Sequence, residues 1–183
     1  MHYALALLGC LWAGAAFSAV IEKQRYGDWE YRIYSDDMSD VISFLAFTKA
    51  TAGEGPAIFQ LRCSKATDQL IWPKYYLPKT HLGSSTKDGF VGYRIDQHEA
   101  VYDPWWRFSD HFAPVTEDRE KLGRFVKALE EGATLLLSGY DAFNNVNRHR
   151  FSLAGAQEVI ARLRSECAEN PAMRRGPDYF KRQ

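Results

Sequence analysis

Hydrophobic positions along this chain follow two periods, one of strands and one of helices. Between Gly27 and about Asp110 the pattern is that of strands. Trp29, Tyr31 and Ile33 alternate with Glu30, Arg32 and Tyr34, which predicts a strand buried on one face. Ser35 to Asp40 is turn chemistry, with side chains that hydrogen-bond their own backbone. Val41 to Thr48 is nearly all apolar and β-favouring, as a central strand buried on both faces requires. The stretch from Thr51 to Pro56 breaks it. Ala57 to Cys63 and Gln69 to Tyr76 predict a hairpin around Ser64 to Asp68, with Pro73 placing the second strand at an edge or bulge. A polar loop, Lys79 to Asp88, leads into the pair Phe90 to Asp96 and Ala100 to Phe108.

The period then lengthens. Leu122, Phe125, Val126 and Leu129 recur at helical spacing behind an acidic first turn (Glu117, Asp118, Glu120), and Gly132 stands where a C-cap glycine belongs. Ala133 to Tyr140 and Asn147 to Leu153 are two further strands. A second helix starts near Gly155, with Ala156, Val159, Ile160 and Leu163 on one stripe that Cys167 extends by a turn. Seven or eight strands with two helices in the C-terminal half predict an α+β chain, a single β-rich domain with a sandwich-like antiparallel sheet over 19–168. The tail over 169–183 reads as unstructured.

Met1 to Ala19 contains no Lys, Arg, Asp or Glu and ends in small residues, which reads as a cleavable export signal over 1–18 and not as a spanning helix. Ala16-Phe17-Ser18 supplies the small-x-small cleavage site. Leu7-Leu8-Gly9-Cys10 is a weaker alternative, a lipid-attachment box, followed by an apolar stretch where a polar tether belongs. Cleavage after Ser18 removes Cys10 and leaves Cys63 and Cys167 facing an oxidising compartment, the periplasm, where a pair is expected to bond. The closed loop would hold about 105 residues, for which chain entropy gives on the order of 4 to 5 kcal/mol.

Charge narrows the partners. The 23 basic and 23 acidic residues cancel, which argues against nucleic acid and against anionic membrane surfaces. With 46% hydrophobic and 14% aromatic residues the chain is globular.

Enzyme signatures are missing. His2, His81, His98, His111 and His149 show no metal spacing, and no nucleophile elbow, phosphate loop or dinucleotide fingerprint occurs. No metal or cofactor is expected. A fold could still gather His98 and His111 with Asp103 and Asp110 as an acid–base set, the basis of a hydrolase reading. The more suggestive stretch is Val91-Gly92-Tyr93-Arg94-Ile95-Asp96. In a strand Gly92, Arg94 and Asp96 share a face, either as a recognition patch or as a plain solvated ion pair. Trp105, Trp106 and Arg107 lie one strand later, with one tryptophan expected in the core and the other beside the arginines. Arg94, Asp96, Trp105, Trp106 and Arg107 are therefore the candidate partner-binding residues.

Several short motifs resemble the periplasmic VasI/TagO family associated with type VI secretion. They are Leu61-Arg62-Cys63, Thr67 to Ile71, Val91 to Asp96, Trp106 with Ser109-Asp110, Phe125 to Leu129, Thr134 to Leu137, Phe151 to Gly155 and Leu163 to Cys167. The domain is also similar to small disulfide-linked domains of the invasion-associated locus B family. The chain departs from the secretion-associated pattern by lacking its opening cysteine segment and by having Ala168 where that family has an aromatic residue. The resemblance implies a non-enzymatic periplasmic accessory or binding module that acts on an envelope or secretion-system protein. An inhibitor or immunity-type protein against a cell-wall-lytic enzyme is the alternative.

Overall fold

The computed structural model describes residues 19–36, 41–63, 70–77, 86–108, 110–114, 119–141 and 143–169. The proposed signal, the tail beyond Glu169 and Cys10 lie outside them. So do most of the polar loop before β6, the turn Ser64 to Asp68 of the predicted hairpin with Gln69 of its second strand, and Glu117 and Asp118. The strands are β1 (Ala19–Tyr26), β2 (Trp29–Asp36), β3 (Val41–Gly53), β4 (Ile58–Cys63), β5 (Ile71–Tyr76), β6 (Thr86–Ile95), β7 (Val101–Arg107), β8 (His111–Pro114), β9 (Thr134–Tyr140) and β10 (Val146–Ser152). The helices are α1 (Arg119–Glu131) and α2 (Ala156–Glu169).

The predicted sandwich is instead a closed barrel. All pairings described are antiparallel, and the order β3-β10-β9-β6-β7-β8-β5-β4 returns to β3 through the β3–β4 pairing. Eight strands close, and β1 and β2 form a hairpin attached to the outside of that ring along β3. Inward and outward residues alternate in the same way in a sandwich and in a barrel, so the periodicity that predicts the strands cannot choose between them. Pro73 pairs with Leu61 on β4, while β8 meets β5 only at Tyr75 and Tyr76. The proline thus stands where the other edge of β5 has no partner strand, as its missing N–H demands.

Both helices cover the open end of the barrel. Leu122, Phe125, Val126 and Leu129 of α1 are buried, the i, i+3, i+4, i+7 stripe of an amphipathic helix. Phe125 is the plug. Its ring meets Tyr93 at 4.8 Å, Phe59 at 6.3 Å and Trp105 at 6.5 Å between centroids, in edge-to-face arrangements. Ala156, Val159, Ile160, Leu163 and Cys167 of α2 continue the same core against Trp29, Phe44 and Leu61. Cys63 and Cys167 are both buried with Cα atoms 6.2 Å apart, within disulfide distance, tying the end of β4 to the last turn of α2.

Two glycines lock the outer hairpin onto the barrel. Gly27 (φ 53°) and Gly155 (φ 88°) adopt left-handed conformations, and Asp28 N–H donates to the Ala154 carbonyl at 3.0 Å. A Cβ on Gly155 would come within 2.1 Å of the Tyr26 carbonyl oxygen. Gly132 does not act as the expected left-handed cap, because its φ is not positive. It is small because a Cβ there would meet Ile95 Cγ2 at 2.5 Å. Phe125→Ala removes the plug and is expected to cost about 3 to 5 kcal/mol, read as a lower urea midpoint at unchanged slope.

Candidate functional site

Outward residues of the barrel meet in rows set by the register of neighbouring strands. One row runs Tyr102, Gly92, Ser138, Arg148 from β7 to β10. The next runs Arg94, Leu136, Arg150, Ala52 from β6 to β3. Gly92 leaves the first row without a side chain at its centre. The Tyr102 ring lies across that gap, so that a Cβ at 92 would come within 2.7 Å of both the ring and Ser138 Oγ. Together the two rows form a concavity of about 540 Å³ on the outer wall. That volume is in the range of small-ligand sites and binding grooves.

The concavity is cationic. Arg94, Arg148 and Arg150 are exposed, and among the described residues no carboxylate forms an ion pair with any of them. Of the lining residues Glu54 alone is acidic. Its carboxylate accepts the backbone N–H of Arg148, and its own N–H donates to the Arg148 carbonyl at 3.3 Å. A bulge falls where β10 steps from Phe151 to Arg150 while β3 steps from Ala50 to Ala52. The extra residue, Thr51, donates its hydroxyl to the Arg150 carbonyl at 3.1 Å. The end of β3 therefore fixes the backbone from which two of the three arginines project.

An aromatic border adjoins the arginines. Phe90 on β6 and Tyr140 on β9 lie one outward position beyond Gly92 and Ser138, and both are exposed. Phe143, 74% exposed, stands on the turn that follows β9. Asp141 builds that turn. Its carboxylate accepts the N–H groups of Phe143 at 2.8 Å and Asn145 at 2.9 Å and the Asn145 amide at 3.0 Å. The Asn145 side chain, followed by these backbone donors and Arg107, holds the Asp141 carboxyl below its ordinary range against the opposing effect of burial.

The structure separates the five residues that the sequence grouped. Arg94 faces the concavity. Asp96 lies past the end of β6 in a left-handed conformation (φ 51°), so the alternation that placed it beside Arg94 has ended. Its carboxylate accepts the N–H groups of Ala133, at 3.1 Å, and Thr134, at 2.8 Å. Asp96 is thus an anchor for the entry to β9 and not a partner of Arg94. Trp105 is the core tryptophan, 3% exposed, while the Trp106 side chain is outside what the structure describes. Arg107 donates from Nη1 to the Asp141 carbonyl at 3.3 Å and braces the Phe143 turn.

The acid–base set does not assemble among the described residues. His98 is exposed in the β6–β7 turn, and His111 opens β8 beside the far end of β7, roughly 20 Å of strand away. His111 stacks between Tyr76, at 4.8 Å, and Phe108, at 4.5 Å, and lies 2.7 Å from the Asp110 carboxylate. Burial pushes its pKa down despite that carboxylate. Asp103 pairs instead with Lys121 at 2.5 Å.

Sequence reasoning missed Arg148 and Arg150, and also His149 between them. His149 is 2% exposed, and its Nδ1 lies 2.5 Å from the buried Tyr75 hydroxyl. Burial pushes the His149 pKa down and the Tyr75 pKa up, so both are neutral inside the barrel. The Arg-His-Arg alternation is itself the available signal, with a neutral imidazole inward and two cations outward.

The fold and face define a closed antiparallel β-barrel with two helices and a basic groove on its wall. No protein family, curated protein or solved structure matches the chain. Among the described residues no group of His, Cys, Asp and Glu could hold a metal, and no helix is long and apolar enough to cross a membrane.

Asp141 generates a pH prediction. Its folded pKa is depressed, so its contribution to stability is present above the ordinary carboxylate pKa and is lost as pH falls through the folded value. Asp141→Asn should lower stability at neutral pH, and urea melts at successively lower pH should show the gap to the parent protein closing. A gap that stays constant into acid would assign the loss to geometry and not to charge.

Proposed function

We propose that this chain is a non-enzymatic binding module of the periplasm, exported by its N-terminal segment, that recognises an envelope or secretion-system protein through the basic groove on its barrel wall. The observation that carries this reading is the set of three exposed arginines, without a carboxylate partner among the described residues, around an apolar and aromatic floor. Charges left without internal partners on a rigid sheet contribute little to stability and are suited to complementarity with a partner. The buried cysteine pair supports the oxidising compartment, since a bond there needs no movement of either element. The motif resemblance to the VasI/TagO family supports the accessory role.

Reversing a groove charge tests the face. Arg94→Glu should weaken capture of the periplasmic partner by roughly 1 to 3 kcal/mol, while the melting temperature moves much less. Affinity and melting are to be measured on the same variant. Unchanged capture would move the partner surface elsewhere on the barrel.

Mass spectrometry of the exported protein tests the compartment. The new N-terminus should fall within Ala16 to Val20, and non-reducing mapping should link Cys63 to Cys167. Cys167→Ser should then cost up to about 4 to 5 kcal/mol by chain entropy. Two freely alkylated thiols, an intact Met1 or an acylated Cys10 would defeat the assignment.

A further inference from the structure

The floor of the groove distinguishes among anions. Arg94 and Arg150 sit on either side of Leu136, on strands two apart, so their roots are separated by roughly 10 Å with an apolar side chain between them. A compact anion such as phosphate is held by donors that converge on one point, and these do not converge. Arg148 lies one outward position along β10 from Arg150, beside Ser138. The aromatic border of Phe90 and Tyr140 continues the same face in the direction of Arg148. Such a surface repeats charge and apolar contact over a distance that an extended chain covers with side chains about 6.7 Å apart along one edge. Nucleic acid is a poorer match, since it asks for a broad basic surface and this chain has no net charge.

Resting on the binding-module reading above, we infer that the groove takes an extended acidic segment of a protein partner, with carboxylates against Arg94, Arg148 and Arg150 and apolar side chains over Leu136 and Phe90. Glu54 is an internal negative charge at the rim of the same site. It lowers the attraction for such a segment while its carboxylate holds the Arg148 backbone. The site therefore contains three cations and one anion, and the two signs should act oppositely on the same ligand.

The probe is a short fluorescein-labelled peptide alternating Glu with Leu, followed by anisotropy against the mature protein, with a Gln–Leu peptide as control. The Glu peptide should bind, and added salt should weaken it. Arg94→Gln and Arg150→Gln should each weaken binding roughly three- to tenfold. Glu54→Gln keeps an oxygen acceptor for the Arg148 N–H and should strengthen binding about two- to threefold. Opposite signs from two conservative amide substitutions cannot arise from a shared loss of folding. Absence of binding at low salt, equal binding of the Gln peptide, or Arg94→Gln and Glu54→Gln shifting affinity in the same direction would overturn the inference. Inorganic phosphate or a single-stranded oligonucleotide competing as well as the unlabelled Glu peptide would also overturn it. The Arg94→Glu capture experiment separates the two levels. Capture lost while the acidic probe stays silent keeps the face as a partner surface of other chemistry, whereas capture unchanged removes the binding-module reading of the face itself.

Discussion

Everything in this fold depends on how one long strand shares its two edges. β3 gives one edge to β4 over Phe44–Lys49. The other edge serves β2 as far as Thr48 and then β10 from Ala50 to Gly53. The first of these partnerships hangs the β1–β2 hairpin outside the ring, and the last closes the ring. The change of partner occurs where the Thr51 bulge increases the local bend, which is how a sheet is turned into a barrel corner. Gly53 completes the corner, because a Cβ there would meet the Arg148 carbonyl oxygen at 2.2 Å. The same corner carries Glu54 and supports Arg148 and Arg150, so closure of the barrel and construction of the groove are one structural event.

Much of this was legible in the sequence because it is local. The stripes of α1 and α2, the alternation of β2, β4 and β6 and the inward thiol of Cys167 each follow from a period that a few neighbouring residues define. What was not legible depends on distant partners. β1 carries Glu22-Lys23-Gln24-Arg25 and buries almost nothing, so no apolar period marks it as a strand. It exists because β2 offers it an edge. β8 is four residues long, too short to show a period, and forms between β5 and β7. Barrel closure is a pairing between Phe44–Lys49 and Ile58–Cys63 on one side and a pairing nearly a hundred residues distant on the other. No hydrophobic pattern encodes that choice.

The candidate site shows the same division at the level of single side chains. Arg94 was found because the alternation around Gly92 holds to the end of β6. At Asp96, one residue past the end of β6, the alternation fails, since a left-handed residue ends a strand without any change in hydrophobicity. Aspartate tolerates that conformation and its short carboxylate reaches nearby backbone donors, which is the reason it occupies this corner. Arg107 is a cation on the strand next to that of Arg94, yet its guanidinium is half-buried and donates to the Asp141 carbonyl. Charge alone does not mark a recognition residue. Whether a cation already has an internal partner must be known as well, and that requires coordinates.

A groove built on strands has a different energetic character from one built on loops. Its backbone is fixed by ladders on both sides, so a ligand there would have guanidinium rotamers to order and little else. The Tyr102 ring, 72% exposed, lies across Gly92, where a side chain would displace it. The wall also divides the two sets of side chains on β10. Arg148 and Arg150 face solvent while His149 between them faces Tyr75, so the two surfaces of β10 answer to different constraints. The separation is one of packing and not of charge: His149 lines the concavity from its inner side, and the Glu54 carboxylate at the rim acts on both His149 and Tyr75. Outward side chains of β10 can therefore change with little effect on how the inward ones pack, which is what a sheet with alternating faces permits and a loop does not.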